Sequence, residues 1–152
     1  MLEINLPKAL VELMAALKAY EQALFGNDID ALNDHFWFSP RSVRYGVQEL
    51  LYSHDAIAGF RGDCGPIDQR RTRRNTTITT FGRDFGTTNA EDVPLGSERV
   101  GRQSQNCVRT ERGWKIVSAH VSLSCRLTVI RPSAFLSGSP ALLTRAHASR
   151  GT

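Results

Sequence analysis

Apolar residues recur at helical spacing in the first part of the chain and at strand spacing in the second half. Leu6, Leu10, Leu13, Leu17 and Leu24 follow one another at helical intervals, with Met14 beside them. Pro7 suits a first-turn position, and Gly26-Asn27 supplies a stop. Tyr20 falls on the same apolar stripe, so the pattern turns a phenol inward. Asp28 is placed to cap a second, shorter helix with Ile29, Leu32 and Phe36 on its inner side, and Pro40 ends it. SVRYGV reads as a short strand in which Arg44 shares a face with Ser42 and Gly46, opposite Val43, Tyr45 and Val47. Ser53 can cap a third helix carrying Ala56, Ile57 and Phe60, which Gly62 and Gly65-Pro66 break.

Strands dominate from there to residue 124. NTTITTFG, DFGTTNAE, VGRQSQNCVR and GWKIVSAHVSLS are rich in Thr, Val and Ile, with turn sequences at residues 82–84 (GRD) and 110–113 (TERG). Helices first and then a run of strands predict an α+β fold with an antiparallel sheet. In the last strand one parity carries Trp114, Ile116, Ser118, His120 and Ser122, and the other Lys115, Val117, Ala119, Val121 and Leu123. Strict alternation therefore predicts that Ser118, His120 and Ser122 face inward and line a cavity. The apolar parity then needs a cover, for which a second copy of the sheet is the simplest candidate, hence an expected homodimer.

Composition narrows the class. A chain of 152 residues with 41% hydrophobic and 22% charged residues is one ordinary globular domain. The net charge of +4 is uneven: all 15 acidic residues precede residue 126, with all but four of the 19 basic ones. The body, residues 1–125, is thus neutral. The tail, residues 126–152, holds Arg126, Arg131, Arg145 and Arg150 without an acid and reads as a weakly structured basic extension. A nucleic-acid-binding surface is not expected. The cluster QRRTRRN (residues 69–75) has no interleaved aromatics and reads as a solvated loop and strand start. No apolar run reaches membrane-spanning length, and the start lacks the pattern of a secretion signal, so a cytoplasmic protein is expected. Cys64, Cys107 and Cys125 have neither disulfide nor zinc spacing, and no metal or cofactor is expected.

The strings YEQAL, FW…SP…VRYG and GRQSQ, in this order, carry a resemblance. Together with the ending GWKIVSAHVS they resemble the AtzH-like family, in the SnoaL-like branch of the nuclear transport factor 2-like superfamily. The resemblance covers residues 3–61 and 98–124. Departures are Cys107, where it implies an aromatic residue, and the divergent stretch from Gly62 to Ser97. It implies a cone-shaped, cystatin-like roll: three N-terminal helices packed on a curved antiparallel sheet, with a deep pocket at the open end. It further implies a decarboxylating amidohydrolase-type step on a small carboxylated urea, 1,3-dicarboxyurea going to allophanate and carbon dioxide, as in cyanuric acid breakdown.

Such a substrate needs cations, a proton source and little water. Arg44 is the candidate for carboxylate binding, because a guanidinium holds a carboxylate through two parallel hydrogen bonds. Tyr20 is the candidate proton donor. His120 is the candidate to orient substrate or shuttle a proton. Arg102 and Ser104 are candidates for substrate binding; either their parity or that of Gln103 and Gln105 faces the pocket, and the former is taken. The alternative function is a non-catalytic carboxylate-binding or accessory dimer module of the same fold. An isomerase or cyclase would need a carboxylate base in the pocket, and no Asp or Glu is expected on an inward strand position.

Overall fold

The computed structural model describes residues 1–65 and 70–124. Helices α1 (Pro7–Gly26), α2 (Ile29–Asp34) and α3 (His54–Asp63) form where the spacing places them. Pro7 occupies the first turn of α1. At the other end Asn27 takes a left-handed φ of 53°, and its N–H reaches the Ala23 and Leu24 carbonyls. Ala9, Leu13, Tyr20 and Ala23 form the buried face of α1. Leu10, Leu17 and Leu24 flank it half-buried, while Met14 is exposed. Asp28 Oδ1 accepts from the Ala31 N–H at 3.0 Å, and Ser53 Oγ from the Ala56 N–H at 3.2 Å, so both expected caps form.

Strands β1 (Val43–Tyr45), β2 (Leu50–Tyr52), β3 (Arg71–Phe81), β4 (Phe85–Pro94), β5 (Val100–Thr110) and β6 (Gly113–Ser124) make one sheet in the order β2-β1-β6-β5-β4-β3. All neighbours are antiparallel except β1 and β6, which run parallel, with Arg44 opposite Ala119. The mixed pairing and strand β2 go beyond the sequence reading. The tight turns at residues 82–84 and 110–113 are as expected, with Gly82 and Gly113 at positive φ. The tail expected at residues 126–152 lies outside the described residues.

The core joins α1, α2 and α3 to one face of the sheet. Leu13, Phe36 and Ile57 are almost wholly buried, each worth about 1.5–3 kcal/mol relative to exposure. Gly86 lets α1 come close: a Cβ there would stand 2.4 Å from Leu13 Cδ2 and 3.0 Å from the Thr79 carbonyl oxygen. Among the described residues, no helix is long and apolar enough to cross a membrane.

One irregularity decides which side chains face the helices. Cys107 pairs with Ile116 and Asn106 with Ser118, leaving Val117 as an extra residue in β6. Trp114 and Ile116 do face inward, as their parity predicts, and both are buried. The bulge then moves every later residue to the opposite face. Ala119, Val121 and Leu123 point in, while Ser118, His120 and Ser122 point out, opposite Asn106, Ser104 and Arg102. The inward placement expected for His120, Arg102 and Ser104 is therefore corrected. The apolar parity beyond the bulge faces the protein's own interior, so it gives no reason for a second sheet to cover it.

Candidate functional site

At the end of the sheet where β6 finishes, a cavity of about 290 Å³ opens between α1 and the sheet. Tyr20 and Leu24 of α1, Arg44 of β1 and Val47 just after it form one wall. Arg71 of β3 and Asp92 of β4 form another, while Gly101 and Gln103 of β5 and Val121 and Leu123 of β6 line the sheet side. Three of the residues singled out by sequence thus border one hollow, Tyr20 and Arg44 on its walls and Arg102 at its rim.

Each is held by local structure. Tyr20 is buried on the inner face of α1, with its ring edge-on to His35 at 5.6 Å between centroids. Arg61, from the last turn of α3, lies within electrostatic reach of it. Arg44 stands inward at mid-strand, with its guanidinium 5.8 Å from the Phe60 ring centre. Its Nη1 donates to Glu49 Oε1, the one hydrogen bond its guanidinium makes among the described residues. Gly46 makes room for this: a Cβ at that position would overlap the Glu49 carboxylate. Burial would raise the Glu49 carboxyl, but its hydrogen bonds to Arg44 and the Gln48 N–H outweigh burial and hold it below the usual range.

The opposite wall is a charge network that the sequence reading placed in solvent. Arg71 and Arg73 alternate on β3 and share its inward face. Arg71 Nη2 donates to Glu21 Oε2 at 2.7 Å, and its Nε lies 3.1 Å from Asp92 Oδ1. Arg73 donates twice to Asp92, at 2.9 and 2.7 Å, and once to Gln103 Oε1 at 3.1 Å. Its Nη1 is also 2.7 Å from Glu21 Oε1. Desolvation works against the Asp92 carboxylate, but Arg73 and Arg71 overcome it and keep its pKa low. Glu21 differs: burial dominates over both arginines and raises its pKa. An inward strand carboxylate therefore exists, contrary to expectation. Asp92 is a poor base, because its oxygens are engaged and its pKa is depressed.

Of the other candidates, His120 and Ser104 lie away from the cavity. His120 is exposed on the outer face of the sheet, 6.1 Å from the Tyr45 ring. Ser104 is exposed beside it, and Arg102 is an exposed residue at the cavity rim. Gln103 and Gln105 take the inward parity. Cys107 is buried, and desolvation pushes its thiol up to about 12, which leaves it a small core residue and no nucleophile. Among the described residues no three His, Cys, Asp or Glu side chains gather to hold a metal ion.

A larger cleft of about 500 Å³ lies among Trp37, Phe38, His54, Arg112 and Lys115. Asp34 already engages Arg112 and Lys115 there, at 2.7 and 2.9 Å. The smaller cavity is the candidate site because a half-exposed guanidinium fork and a buried phenol converge on it.

Sequence reasoning missed Glu21, Arg61, Arg71, Arg73 and Asp92, and it weighed Gln103 but took the other parity. A signal existed for two of them: Arg71 and Arg73 stand two apart, the spacing of one strand face.

The AtzH-like family model matches residues 2–126, spanning every element that builds the cavity. The chain belongs to the AtzH-like family. This AtzH-like protein is 42% identical to a cystatin-like fold protein from Burkholderia xenovorans, with a TM-score of 0.77 over 81% of this chain and 97% of the other. It is 41% identical to a protein of unknown function from Pectobacterium atrosepticum, with a TM-score of 0.75 over 80% and 94% of the two chains. A nuclear transport factor 2-like superfamily protein from Salmonella enterica shares 20% identity and a TM-score of 0.62 over 80% and 95%, a likeness of fold. No curated protein matches the chain. The α+β, cystatin-like and nuclear transport factor 2-like architecture implied by the sequence is the one observed.

Proposed function

We propose that this AtzH-like protein is a cytoplasmic, cofactor-free enzyme that decarboxylates a small carboxylated urea, taking 1,3-dicarboxyurea to allophanate and carbon dioxide. The observation that carries the reading is the meeting of Tyr20 and Arg44 on one small cavity. Arg44 anchors the carboxylate that is retained, using the part of its fork that Glu49 leaves open. The departing carboxylate loses its charge as carbon dioxide forms, so an apolar wall suits it; Leu24, Val47, Val121 and Leu123 provide one. Tyr20 gives its proton to the carbamate nitrogen. The C–N bond breaks, its electron pair stays on nitrogen, and carbon dioxide leaves. Solvent then returns a proton to the phenolate. His120, Arg102 and Ser104 take no part in this sequence.

Kinetics of two variants test the roles. Arg44→Ala raises KM about 10- to 100-fold, the loss of hydrogen bonds to a charged group. Tyr20→Phe lowers kcat by about 10²–10⁴ and leaves KM nearly unchanged. Full turnover by both variants contradicts the assignment.

A second reading is a non-catalytic carboxylate-binding module, and the departure from the family pattern at buried Cys107 favours it. Calorimetric binding of 1,3-dicarboxyurea without release of product would select this reading.

A further inference from the structure

Gln103 stands on the sheet side of the cavity, and no step proposed above uses it. It is nearly buried, at 9% exposure, and lies opposite Val121 of β6. A carboxamide can turn either its oxygen or its NH2 toward a neighbour, and here the neighbour decides. Arg73 Nη2 lies 3.1 Å from Gln103 Oε1. A guanidinium offers only donors, so the oxygen is the atom that must face it. Arg73 is itself held, donating to Asp92 at 2.9 and 2.7 Å and lying 2.7 Å from Glu21 Oε1. The carbonyl of Gln103 is therefore pinned toward the β3–β4 flank of the sheet. The oxygen and nitrogen of a carboxamide diverge from one carbon, so the NH2 turns toward the β6–β1 flank, where Val121 and Arg44 line the same cavity. Among the described residues nothing accepts from that NH2. Nor is its nitrogen sealed among protein atoms, unlike the enclosed Nε2 of Gln105 at the next inward position of β5.

We infer that Gln103 is a ligand-binding residue of this cavity: its NH2 donates to an uncharged carbonyl oxygen of a small anion whose carboxylate is held by Arg44. The two donors suit two acceptors. A guanidinium favours the charged carboxylate, and a neutral NH2 is enough for a carbonyl. On 1,3-dicarboxyurea the acceptor is the central urea oxygen, an identification that rests on the proposed function. A second contact stops the flat urea from turning about the carboxylate held by Arg44, and so keeps its nitrogen facing Tyr20. Selectivity follows from the same geometry. A carboxylate of equal length without the carbonyl leaves the NH2 desolvated and unpaired, which penalises its binding. Arg73, with Asp92 and Glu21 behind it, acts only through Gln103 and is a positioning residue.

Two stable probes separate the contacts: malonamate, which carries a carboxylate and an amide carbonyl, and butyrate, of the same chain length without that carbonyl. By calorimetry the wild type binds malonamate about 3- to 10-fold more tightly than butyrate, the worth of one uncharged hydrogen bond. Gln103→Met abolishes the preference, and Arg44→Ala weakens both probes. In ¹⁵N-labelled wild-type protein the side-chain amide resonances of Gln103, found by sequential assignment, move on addition of malonamate and far less with butyrate. This spectrum decides the matter even where the variant does not fold. Equal affinity of the wild type for both probes, a preference retained in Gln103→Met, an unmoved Gln103 amide, or binding of neither probe overturns the inference. In turnover of 1,3-dicarboxyurea, Gln103→Met raises KM by the same factor and leaves kcat near that of the wild type. Discrimination between the probes without turnover of carboxylated ureas would reject the proposed function and leave Gln103 in place as the carbonyl donor.

Discussion

Tyr20 and Arg44 were legible one residue at a time because each obeys a local period. Tyr20 lies on an apolar helical stripe, and Arg44 alternates with apolar neighbours on a short strand. Arg71, Arg73 and Asp92 were not legible, because their partners come from distant segments: Glu21 precedes Arg71 by fifty positions. A cluster of four arginines without known partners reads as solvated, and only the packing of α1 over β3 and β4 brings the carboxylates to it. His35 carries a prediction at this scale. Desolvation, with the charges of Lys115 and Arg61, lowers its pKa against the weaker opposing pull of Asp34. The folded protein thus disfavours the protonated ring. The stability this contributes is complete above the unfolded value of about 6.5 and is lost as pH falls through the lower folded value. Thermal unfolding followed from pH 8 to 5 should show the wild type losing more stability than His35→Gln. Parallel pH profiles would contradict this account of His35.

Elements were largely readable; the face presented by one of them was not. Helix caps, hairpin turns and strand order in sequence arise from local residue chemistry, and the caps at Asp28 and Ser53 form as expected. The reversal within β6 depends on a single unpaired residue, Val117, which no alternation pattern reveals. Trp114 and Ile116 suggested the correct face, and extending their parity past the bulge gave the wrong one. The same event explains both the polar stripe outside and the apolar wall within the cavity. Deleting Val117 removes the extra residue and leaves Ser118, His120 and Ser122 facing out, because the pairs Cys107–Ile116 and Asn106–Ser118 then follow one another in strict alternation. The expected outcome is a variant that still unfolds cooperatively, and Val117→Ala, which keeps the bulge, costs only about 1 kcal/mol. Loss of cooperative thermal unfolding in the deletion variant would contradict the assignment of Val117 as the extra residue.

For the whole molecule, the sheet packs its inward face on three helices, and among the described residues no helix covers the other face. That arrangement removes the first argument for a dimer, since Ala119, Val121 and Leu123 already have an interior to line. A different one replaces it: Tyr45, Val47, Leu50 and Tyr52 are exposed together around the β1–β2 edge, beside outward-facing His120. Self-association that covers this row predicts a dimer in sedimentation velocity at micromolar concentration, weakened by Leu50→Lys. A monomer at all concentrations would remove the homodimer from the account. The cavity itself belongs to a single chain, so its chemistry is testable directly. The decisive measurement is carbon dioxide release from freshly prepared 1,3-dicarboxyurea by purified protein, measured against the spontaneous rate and against the Tyr20→Phe, Arg44→Ala double variant. The account predicts stoichiometric allophanate and carbon dioxide from the wild type, and a rate near background from the double variant. Binding without acceleration, or equal acceleration by both proteins, would contradict it.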